Sequence, residues 1–185
     1  MSMTFITGGA RSGKSRFAER MAAESKHKVI YIATAQALDQ EMVQRIAIHR
    51  QRRPRRWETI EEPKYVSMVL KDIRKSGKFD DCGVILIDCL ALLVSNWLPL
   101  EKAEKSSTWE ELRKTLLEEI GAIIQEIRKM EKHIIIVSNE VGLGLVPEYP
   151  LGRLYRDLLG EVNQMVALAA DEVYFMVSGI PLKIK

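Results

Sequence analysis

The residues at positions 8–15 have the types and spacing of a phosphate-binding loop. Gly8, Gly13, Lys14 and Ser15 fill the fixed positions of the pattern G-x-x-x-x-G-K-[ST]. Glycine lets the backbone curl so that successive N–H groups point at one anion. The lysine ammonium suits the outer phosphates, and the serine hydroxyl suits a Mg²⁺ ion. The pattern predicts a nucleoside triphosphate site. The residues expected to line it are Gly8, Gly9, Ala10, Arg11, Ser12, Gly13, Lys14 and Ser15.

The segments on either side of this loop match the context that the pattern requires. Residues 3–7 form an apolar run of strand length, and residues 15–25 have the composition of a helix. A loop between a strand and a helix places the phosphates at the helix N-terminus, where the helix dipole favours an anion. A plain glycine–serine turn is the alternative interpretation, and this placement disfavours it.

Apolar runs of strand length alternate with helical segments along the rest of the chain. We expect further strands at 28–34, 83–88, 133–138 and 172–177, a short extended piece at 57–60 and a terminal hairpin strand at 182–185. We expect helices at 39–53, 63–74, 90–98, 108–132 and 151–170, with Asp39 as the N-cap of the first of them. The polar segment 101–108 is expected to be a flexible loop. Solid apolar strands between helices indicate an α/β fold, with a mostly parallel sheet flanked by helices and a short C-terminal hairpin.

Ligands of such a sheet bind at the carboxyl ends of its strands. Besides the loop, these ends carry the segments 33–35 and 139–140 and the carboxylate of Asp88. Asp88 follows four apolar residues, 84–87, which is the Walker B pattern, and an acid there can hold Mg²⁺ opposite Ser15. A helix cap or a solvated loop acid is the alternative for Asp88.

A second unusual feature is the basic segment 49–57, in which five arginines fall between positions 50 and 56. The segment can be a solvated basic face, a nucleic-acid patch with an interleaved tryptophan, or a set of guanidinium groups gathered around a triphosphate. The third interpretation agrees best with the loop. His49 lies beside these arginines, whose positive charge favours a neutral imidazole. Attack of such a histidine on phosphorus gives a covalent phosphoramidate.

The composition is that of an ordinary globular chain of 185 residues, for which we expect one domain over 1–185. Hydrophobic residues make up 46%, charged residues 29%, and the formal net charge is +3, which gives no global argument for a nucleic-acid or membrane partner. No apolar run approaches the roughly 20 residues of a membrane span. Cys82 and Cys89 are expected as small core residues of a reduced, cytoplasmic protein.

Several motifs together resemble one family. They are TGGARSGKS at 7–15, YIAT at 31–34, the histidine segment 39–50, RPxxWxTxE at 53–61, SNEVGxGxVP at 138–147, RDxxGxxNQ at 156–164, and ADEV at 170–173 with SG at 178–179. With these motifs the chain resembles, nearly end to end, the bifunctional adenosylcobinamide kinase / adenosylcobinamide-phosphate guanylyltransferase family of cobalamin biosynthesis. The phosphate loop alone occurs in many enzyme families, whereas the segments 39–50 and 138–147 together are specific.

The resemblance implies a P-loop NTPase-like fold and two reactions at one site. The first moves the γ-phosphate of ATP or GTP to the hydroxyl of the aminopropanol arm of adenosylcobinamide. The second transfers GMP from GTP to that phosphate, which gives adenosylcobinamide-GDP and pyrophosphate. The resemblance also implies a cytosolic homotrimer, and we expect Mg²⁺ as its metal ion.

The resemblance assigns roles to particular residues. His49 matches the histidine that carries GMP covalently, and Lys14 is the other catalytic residue we expect. The positions implied to contact guanine nucleotide are Ala33, Thr34, Ala35, Arg50, Gln51, Arg52, Arg53, Glu61 and Asp88. Some relatives carry two adjacent histidines, whereas Ile48 precedes His49 in this chain, which leaves one candidate nucleophile. The segment 90–108 follows no family pattern and receives no role.

Two alternatives from other classes remain open. A simple P-loop small-molecule kinase would carry out only the first transfer and form no adduct between GMP and the enzyme. A nucleic-acid-dependent ATPase would use the arginines of the basic segment as a phosphate track, and its binding would depend steeply on salt.

Overall fold

A sheet of seven strands is the centre of the computed structural model, which describes residues 2–98 and 106–185. The strands are β1 (Ser2–Gly8), β2 (Lys28–Ala33), β3 (Glu58–Glu61), β4 (Cys82–Asp88), β5 (His133–Val137), β6 (Glu172–Val177) and β7 (Ile180–Lys183). The helices within these ranges are α1 (Lys14–Glu24), α2 (Gln40–Arg52), α3 (Val66–Lys75), α4 (Leu90–Trp97), α5 (Ser106–Ile127) and α6 (Pro150–Ala169).

The strands lie in the order β3-β2-β4-β5-β1-β6-β7, and every neighbouring pair is parallel except β6 and β7. Two residues, Ser178 and Gly179, join that last pair. Their φ angles of 50° and 87° give the tight turn of an antiparallel hairpin. The predicted fold class, a mostly parallel α/β sheet with a C-terminal hairpin, is confirmed.

The path of the chain across the sheet sorts the helices onto two faces. From β1 the chain moves through β2 to the edge strand β3, and then it returns through β4 and β5 to β6. Right-handed crossovers in these opposite directions place α1 and α2 on one face and α3 to α6 on the other. In agreement, α1 packs on β1, β4 and β5, whereas α5 packs on α3, α4 and α6. Among the helices described, none is long and apolar enough to cross a bilayer.

The central strands are buried on both faces, as their unbroken apolar runs predict. Residues 29–33 of β2, 84–87 of β4 and 134–137 of β5 are at most 7% exposed. Helix α5 adds residues at helical spacing to the same core: Leu116, Ile120, Ile123 and Ile127. Cys82 and Cys89 are buried and unpaired, which confirms their prediction as core residues. Burial raises the pKa of the Cys89 thiol to about 12, and the neighbouring carboxylate of Asp88 adds to this rise.

Two segments differ from the sequence-based expectations. The extended piece at 57–60 is a sheet strand, because β3 pairs in parallel with β2 from Ile30 to Ala33. The polar segment 101–108 was expected to be a loop. Its first part lies outside the described residues, and the prediction is wrong for 106–108, where α5 has already begun. Serine and threonine are common at helix starts, so a polar run of this kind does not distinguish a loop from the first turn of a helix.

We expect the centre of the sheet to dominate stability. Ile135 is fully buried on β5, between Thr4 of β1 and Leu86 of β4. Ile135→Ala should lower the free energy of unfolding by about 2–5 kcal/mol, since it removes buried methyl groups and leaves a cavity. The measurement is denaturant unfolding at a fixed protein concentration. The control is Ile48→Ala, the same change at a residue that is 55% exposed, and it should alter stability by no more than about 0.5 kcal/mol. Equal losses for the two variants would contradict this account of the core.

Candidate functional site

The phosphate loop between β1 and α1 has the curled backbone that its sequence predicts. Gly8 and Gly13 have φ angles of 149° and 93°, a region that side chains rarely allow. A Cβ atom on Gly8 would lie 2.6 Å from the carbonyl oxygen of Met176 on β6. Gly13 is the N-cap of α1, so the loop opens directly onto the start of that helix. The geometry presents backbone N–H groups and a helix N-terminus to an anion.

Two hydrogen bonds from distant segments fix the shape of this loop. The N–H of Glu140, just after β5, donates to the Gly8 carbonyl at 2.8 Å. The N–H of Gly179, in the hairpin turn, donates to the Ser12 carbonyl at 2.9 Å. These bonds occupy loop carbonyls from outside, and the C-terminal hairpin therefore braces the loop.

Lys14, the first residue of α1, is held inside the loop. Its side chain is buried, and Nζ donates to the Gly9 carbonyl at 2.6 Å. Burial lowers the pKa of Lys14, and the negative charge of Asp88 acts in the opposite direction. A phosphate oxygen can replace the Gly9 carbonyl as the acceptor for Nζ, because the hydrogen bond then joins two charged groups and is stronger. The lysine is thus placed to interact with a bound phosphate.

Asp88 lies at the carboxyl end of β4, which β5 separates from β1. Its Oδ2 accepts a hydrogen bond of 2.7 Å from the hydroxyl of Tyr31, a side chain that is 1% exposed. Burial raises the pKa of Tyr31, and the charge of Asp88 adds to this effect. The N-cap residue of α4 is Cys89 rather than Asp88. The structure therefore does not support the alternative in which Asp88 is a helix cap.

Thr34 holds the backbone at the end of β4 in place. Its N–H donates to the Asp88 carbonyl at 3.2 Å, and its hydroxyl oxygen lies 2.7–2.8 Å from the carbonyl oxygen and the nitrogen of Cys89. Asn96 of α4 donates in turn to the Thr34 carbonyl at 2.7 Å. The segment 33–35, predicted to contact nucleotide, is thus hydrogen-bonded through its backbone to Asp88, the residue predicted to hold the metal ion.

His49 lies in the last turn of α2, a helix that buries none of its own residues. The helix starts as predicted, because Asp39 accepts a hydrogen bond of 2.7 Å from the N–H of Met42. Nδ1 of His49 is 3.9 Å from Oε1 of Glu19, and Arg52 forms an ion pair of 2.9 Å with Oε2 of the same carboxylate. Glu19 belongs to α1, so the helix that begins at the phosphate loop also contacts the histidine segment.

A stack of side chains links the end of α2 to Asp88. The guanidinium carbon of Arg53 lies 3.5 Å from the centre of the Tyr31 ring, and Trp57 stacks with the same ring at 6.4 Å. Nε and Nη1 of Arg53 are buried and have no hydrogen-bond partner within the protein. Because Tyr31 also donates to Asp88, one aromatic ring connects the basic segment to the strand end.

The arginines of the basic segment face different partners. Arg50 pairs with Glu61 at the end of β3, Arg52 pairs with Glu19, and Arg53 stacks on Tyr31. Beside them lies an open depression of about 540 Å³. Its lining residues are Arg50, Arg53, Pro54, Arg55, Trp57, Thr59 and Glu61.

Most of the predicted site residues meet along the carboxyl edge of the sheet. The charge of Asp88 acts on Lys14, the backbones of Thr34 and Asp88 are hydrogen-bonded, and Arg50 reaches Glu61. None of these contacts includes His49. Within the described ranges, no hydrogen bond or ion pair joins His49 to the phosphate loop itself. Gln51 is exposed on α2. No group of three or more His, Cys, Asp or Glu residues in the described part of the chain is placed to hold a metal ion.

The sequence interpretation assigned no role to two side chains of this site, Glu19 and Tyr31. Tyr31 belongs to a buried strand, and the apolar run alone does not tell that its hydroxyl reaches a carboxylate. Glu19 stands on α1 beside the buried stripe of Lys14, Ala18 and Ala22. That position at the border of a buried helix face is the one available indication that this acid is not fully solvated.

A solved structure shares this architecture. The chain is similar to the RadB recombinase, with a TM-score of 0.52 and 17% sequence identity over 94% of this chain and 73% of that one. At this identity the likeness shows the fold alone, and it confirms the predicted P-loop NTPase-like fold.

Protein relatives give the more specific comparison. The chain is 40% identical to the bifunctional adenosylcobalamin biosynthesis protein CobU of Escherichia coli strain K12, over 99% of both chains. It is 44% identical to the bifunctional adenosylcobalamin biosynthesis protein CobP of Pseudomonas aeruginosa, over 97% of this chain and 95% of that one. A family model described as cobinamide kinase / cobinamide phosphate guanyltransferase matches residues 4–184. The chain therefore belongs to the CobU family of cobinamide kinases / cobinamide phosphate guanyltransferases.

Proposed function

We propose that this site carries out both transfers of the family through a guanylyl–histidine intermediate on His49. In the first transfer, the γ-phosphate of ATP or GTP passes to the aminopropanol hydroxyl of adenosylcobinamide. In the second, GMP passes from GTP to that phosphate, which gives adenosylcobinamide-GDP and pyrophosphate. The observation that carries the proposal is the joint role of α1, which begins at Lys14 in the phosphate loop and contacts His49 through Glu19. One helix thus connects a triphosphate site to a nucleophile.

The triphosphate is proposed to lie in the loop 8–15, with the Lys14 ammonium on its outer phosphates. Its nucleoside would extend toward 33–35 and the depression beside Glu61, where arginines line the wall. The residues that we assign to the nucleotide are the loop, Ala33, Thr34, Ala35, Arg50, Gln51, Arg52, Arg53, Glu61 and Asp88. Two buried guanidinium nitrogens of Arg53 without a protein partner support this assignment, because buried donors are rarely left unsatisfied.

Ser15 and Asp88 are the residues that we propose would hold Mg²⁺. Magnesium in nucleotide sites takes one or two protein oxygens and completes its shell with phosphates and water, so a hydroxyl and a single carboxylate are an adequate donor set. The hydrogen bond from Tyr31 fixes the orientation of the Asp88 carboxylate. When bound, the ion neutralises charge that develops on the phosphates.

The two transfers place different demands on the protein. Phosphoryl transfer to a hydroxyl needs positioning and charge stabilisation, which the loop and Lys14 supply. In guanylyl transfer an imidazole nitrogen attacks the α-phosphorus, the bond to the β-phosphate oxygen breaks, and pyrophosphate leaves. An oxygen of adenosylcobinamide phosphate then attacks the same phosphorus, and the P–N bond breaks.

We further propose a homotrimer, in the cytoplasm where ATP and GTP are available. Exposed apolar side chains between β5 and α6 support an assembly. They are Leu143 (80% exposed), Leu145 (97%), Val146 (62%) and Tyr149 (65%). Several large apolar side chains exposed within one short segment are typical of an interaction surface.

Lys14→Ala should impair both reactions, because both need a seated triphosphate. Loss of one charged group at a phosphate should lower kcat/KM of each half-reaction by about 10²- to 10³-fold. The measurement is separate assay of kinase and guanylyl transfer. Lys75→Ala, at an exposed position on α3, is the control and should leave both rates unchanged. Near-normal turnover of either half-reaction by Lys14→Ala would contradict a single shared site.

Asp88→Asn should weaken the dependence on magnesium. The amide keeps the shape and can still accept from Tyr31, but it removes the charge that Mg²⁺ prefers. Titration of each activity with Mg²⁺ should show a requirement for about 10- to 100-fold more metal ion. Asp72→Asn, at an exposed position on α3, should match the wild type. An unchanged magnesium profile would leave Asp88 with a structural role only.

The His49 assignment is tested by labelling with radioactive GTP. GTP labelled at the α-phosphorus should tag the protein with an acid-labile, base-stable adduct, and GTP labelled at the γ-phosphorus should not tag His49. His49→Ala should lose the adduct and the guanylyl transfer but retain kinase activity. His27→Ala, at an exposed position before β2, is the matched control and should keep both. A normal α-label on His49→Ala would overturn the assignment, and no α-label on the wild type would favour a simple kinase.

A further inference from the structure

We propose that Glu19 is the positioning residue for the nucleophile, holding the His49 imidazole with Nδ1–H toward its carboxylate so that Nε2 attacks the α-phosphorus. The inference rests on the proposed role of His49 in guanylyl transfer. It concerns a residue of α1 that stands outside every motif used to identify the family.

The surroundings of the Glu19 carboxylate are unusual for a helix-surface acid. The side chain is 13% exposed, whereas Glu24, on the same helix, is 72% exposed. Oε1 is buried and has no hydrogen-bond partner within the protein. An unsatisfied buried carboxylate oxygen is costly, so a donor is expected to reach it in the working enzyme.

The imidazole of His49 is the donor that faces this oxygen. Nδ1 of His49 and Oε1 of Glu19 are 3.9 Å apart, about 1 Å longer than a hydrogen bond. Catalytic hydrogen bonds are often long in ligand-free structures and shorten when substrate is bound. A movement of about 1 Å by α2, a helix with no buried residue of its own, would close the gap.

Arg52 determines which oxygen of the carboxylate is directed to the histidine. Its Nη2 lies 2.9 Å from Oε2 of Glu19 in a hydrogen-bonded ion pair. With one oxygen engaged by the guanidinium, the other is left to face His49, one turn earlier on α2. The carboxylate thus bridges two side chains of the basic segment and fixes the ring relative to α1.

The tautomer that this contact selects suits the chemistry. In a neutral imidazole one nitrogen carries the proton and the other carries the lone pair, and a carboxylate at Nδ1 places the proton there. The Nε2 lone pair then forms the bond to the α-phosphorus while the bond to the β-phosphate oxygen breaks and its electron pair leaves with pyrophosphate. The ring becomes a guanylylated imidazolium with Nδ1–H retained, and the negative charge of Glu19 stabilises it.

The second step reverses these changes at the ring. An oxygen of adenosylcobinamide phosphate attacks the phosphorus, the P–Nε2 bond breaks, and its electron pair returns to Nε2. The neutral imidazole with Nδ1–H is restored, and Glu19 has neither gained nor lost a proton. The carboxylate acts by orientation and charge.

A merely structural role for Glu19, as an attachment point for Arg52, predicts different results. Such a role would make Glu19→Ala a general defect of α2 that affects both transfers alike. A positioning role predicts a defect confined to guanylyl transfer and a change in the protonation site of one imidazole.

The first test is spectroscopic and is made with a bound GTP analogue whose α–β bridge cannot be cleaved, so that the site is in its nucleotide-bound form and no transfer occurs. Two-bond ¹H–¹⁵N correlation spectra of protein with labelled histidine distinguish Nδ1–H from Nε2–H imidazoles, and the His49→Ala variant identifies the His49 signals. Wild-type His49 should be mainly in the Nδ1–H form at a pH where the ring is neutral. Glu19→Ala should move it toward the Nε2–H form that predominates for a neutral histidine side chain in water. Glu24→Ala is the matched control on α1 and should resemble the wild type. An unchanged tautomer in Glu19→Ala would overturn the inference.

The second test measures the two transfers separately. Glu19→Ala should slow formation of the α-labelled adduct by about 10- to 100-fold while kinase turnover stays within about twofold of wild type. Glu19→Asp, which keeps the carboxylate, should recover part of the loss. Labelling of Glu19→Ala at the wild-type rate would overturn the role of Glu19 alone. Absence of α-label on the wild type would overturn the proposed nucleophile and, with it, the role of Glu19 in transfer.

Discussion

The curled backbone of the phosphate loop depends on contacts that reach it from other elements. Gly8 packs so closely on β6 that a Cβ atom would collide with the Met176 carbonyl. Lys14 donates to the Gly9 carbonyl from within the loop, and backbone donors from Glu140 and Gly179 occupy two further loop carbonyls from outside. The strand order makes these contacts possible, because β1 lies between β5 and β6, and the two donors follow the ends of those strands. The C-terminal hairpin, which looks peripheral in the sequence, therefore contributes to the site.

Helix α1 couples the two halves of the proposed chemistry. Its first residue, Lys14, belongs to the triphosphate site, and Glu19 on the next turn contacts the histidine segment. A second connection runs through Tyr31, whose hydroxyl holds Asp88 and whose ring carries Arg53. Side chains that extend from α1 and β2 thus lie against both the histidine and the proposed metal ligand, and support from regular elements is what precise transfer chemistry needs.

Local patterns in the sequence were enough to predict most of the fold and to select the phosphate loop and Asp88 as parts of the candidate site. Unbroken apolar runs identified β2, β4 and β5 because strands buried on both faces need no alternation. The loop and Asp88 were found because their positions are defined within a few residues of a strand end. The contacts of Glu19, Tyr31 and Arg53 were not found, because they join residues that only the tertiary arrangement brings together. The pairing of β3 with β2 was missed for the same reason, since edge strands are short and half exposed.

The weak pairing of Arg50 suits a site that rearranges around nucleotide. Arg50 and Glu61 are each more than half exposed, and ion pairs of this kind contribute only about 0–1 kcal/mol. A polyphosphate carries more charge than a single carboxylate and forms stronger bidentate contacts with guanidinium groups. It can therefore recruit Arg50 without a large loss of stability. In the Arg52–Glu19 pair the carboxylate is only 13% exposed, so this pair holds α2 to α1 more firmly than Arg50 and Glu61 hold α2 to β3. Arg50 can therefore turn toward phosphate while the Arg52–Glu19 pair still joins α2 to α1.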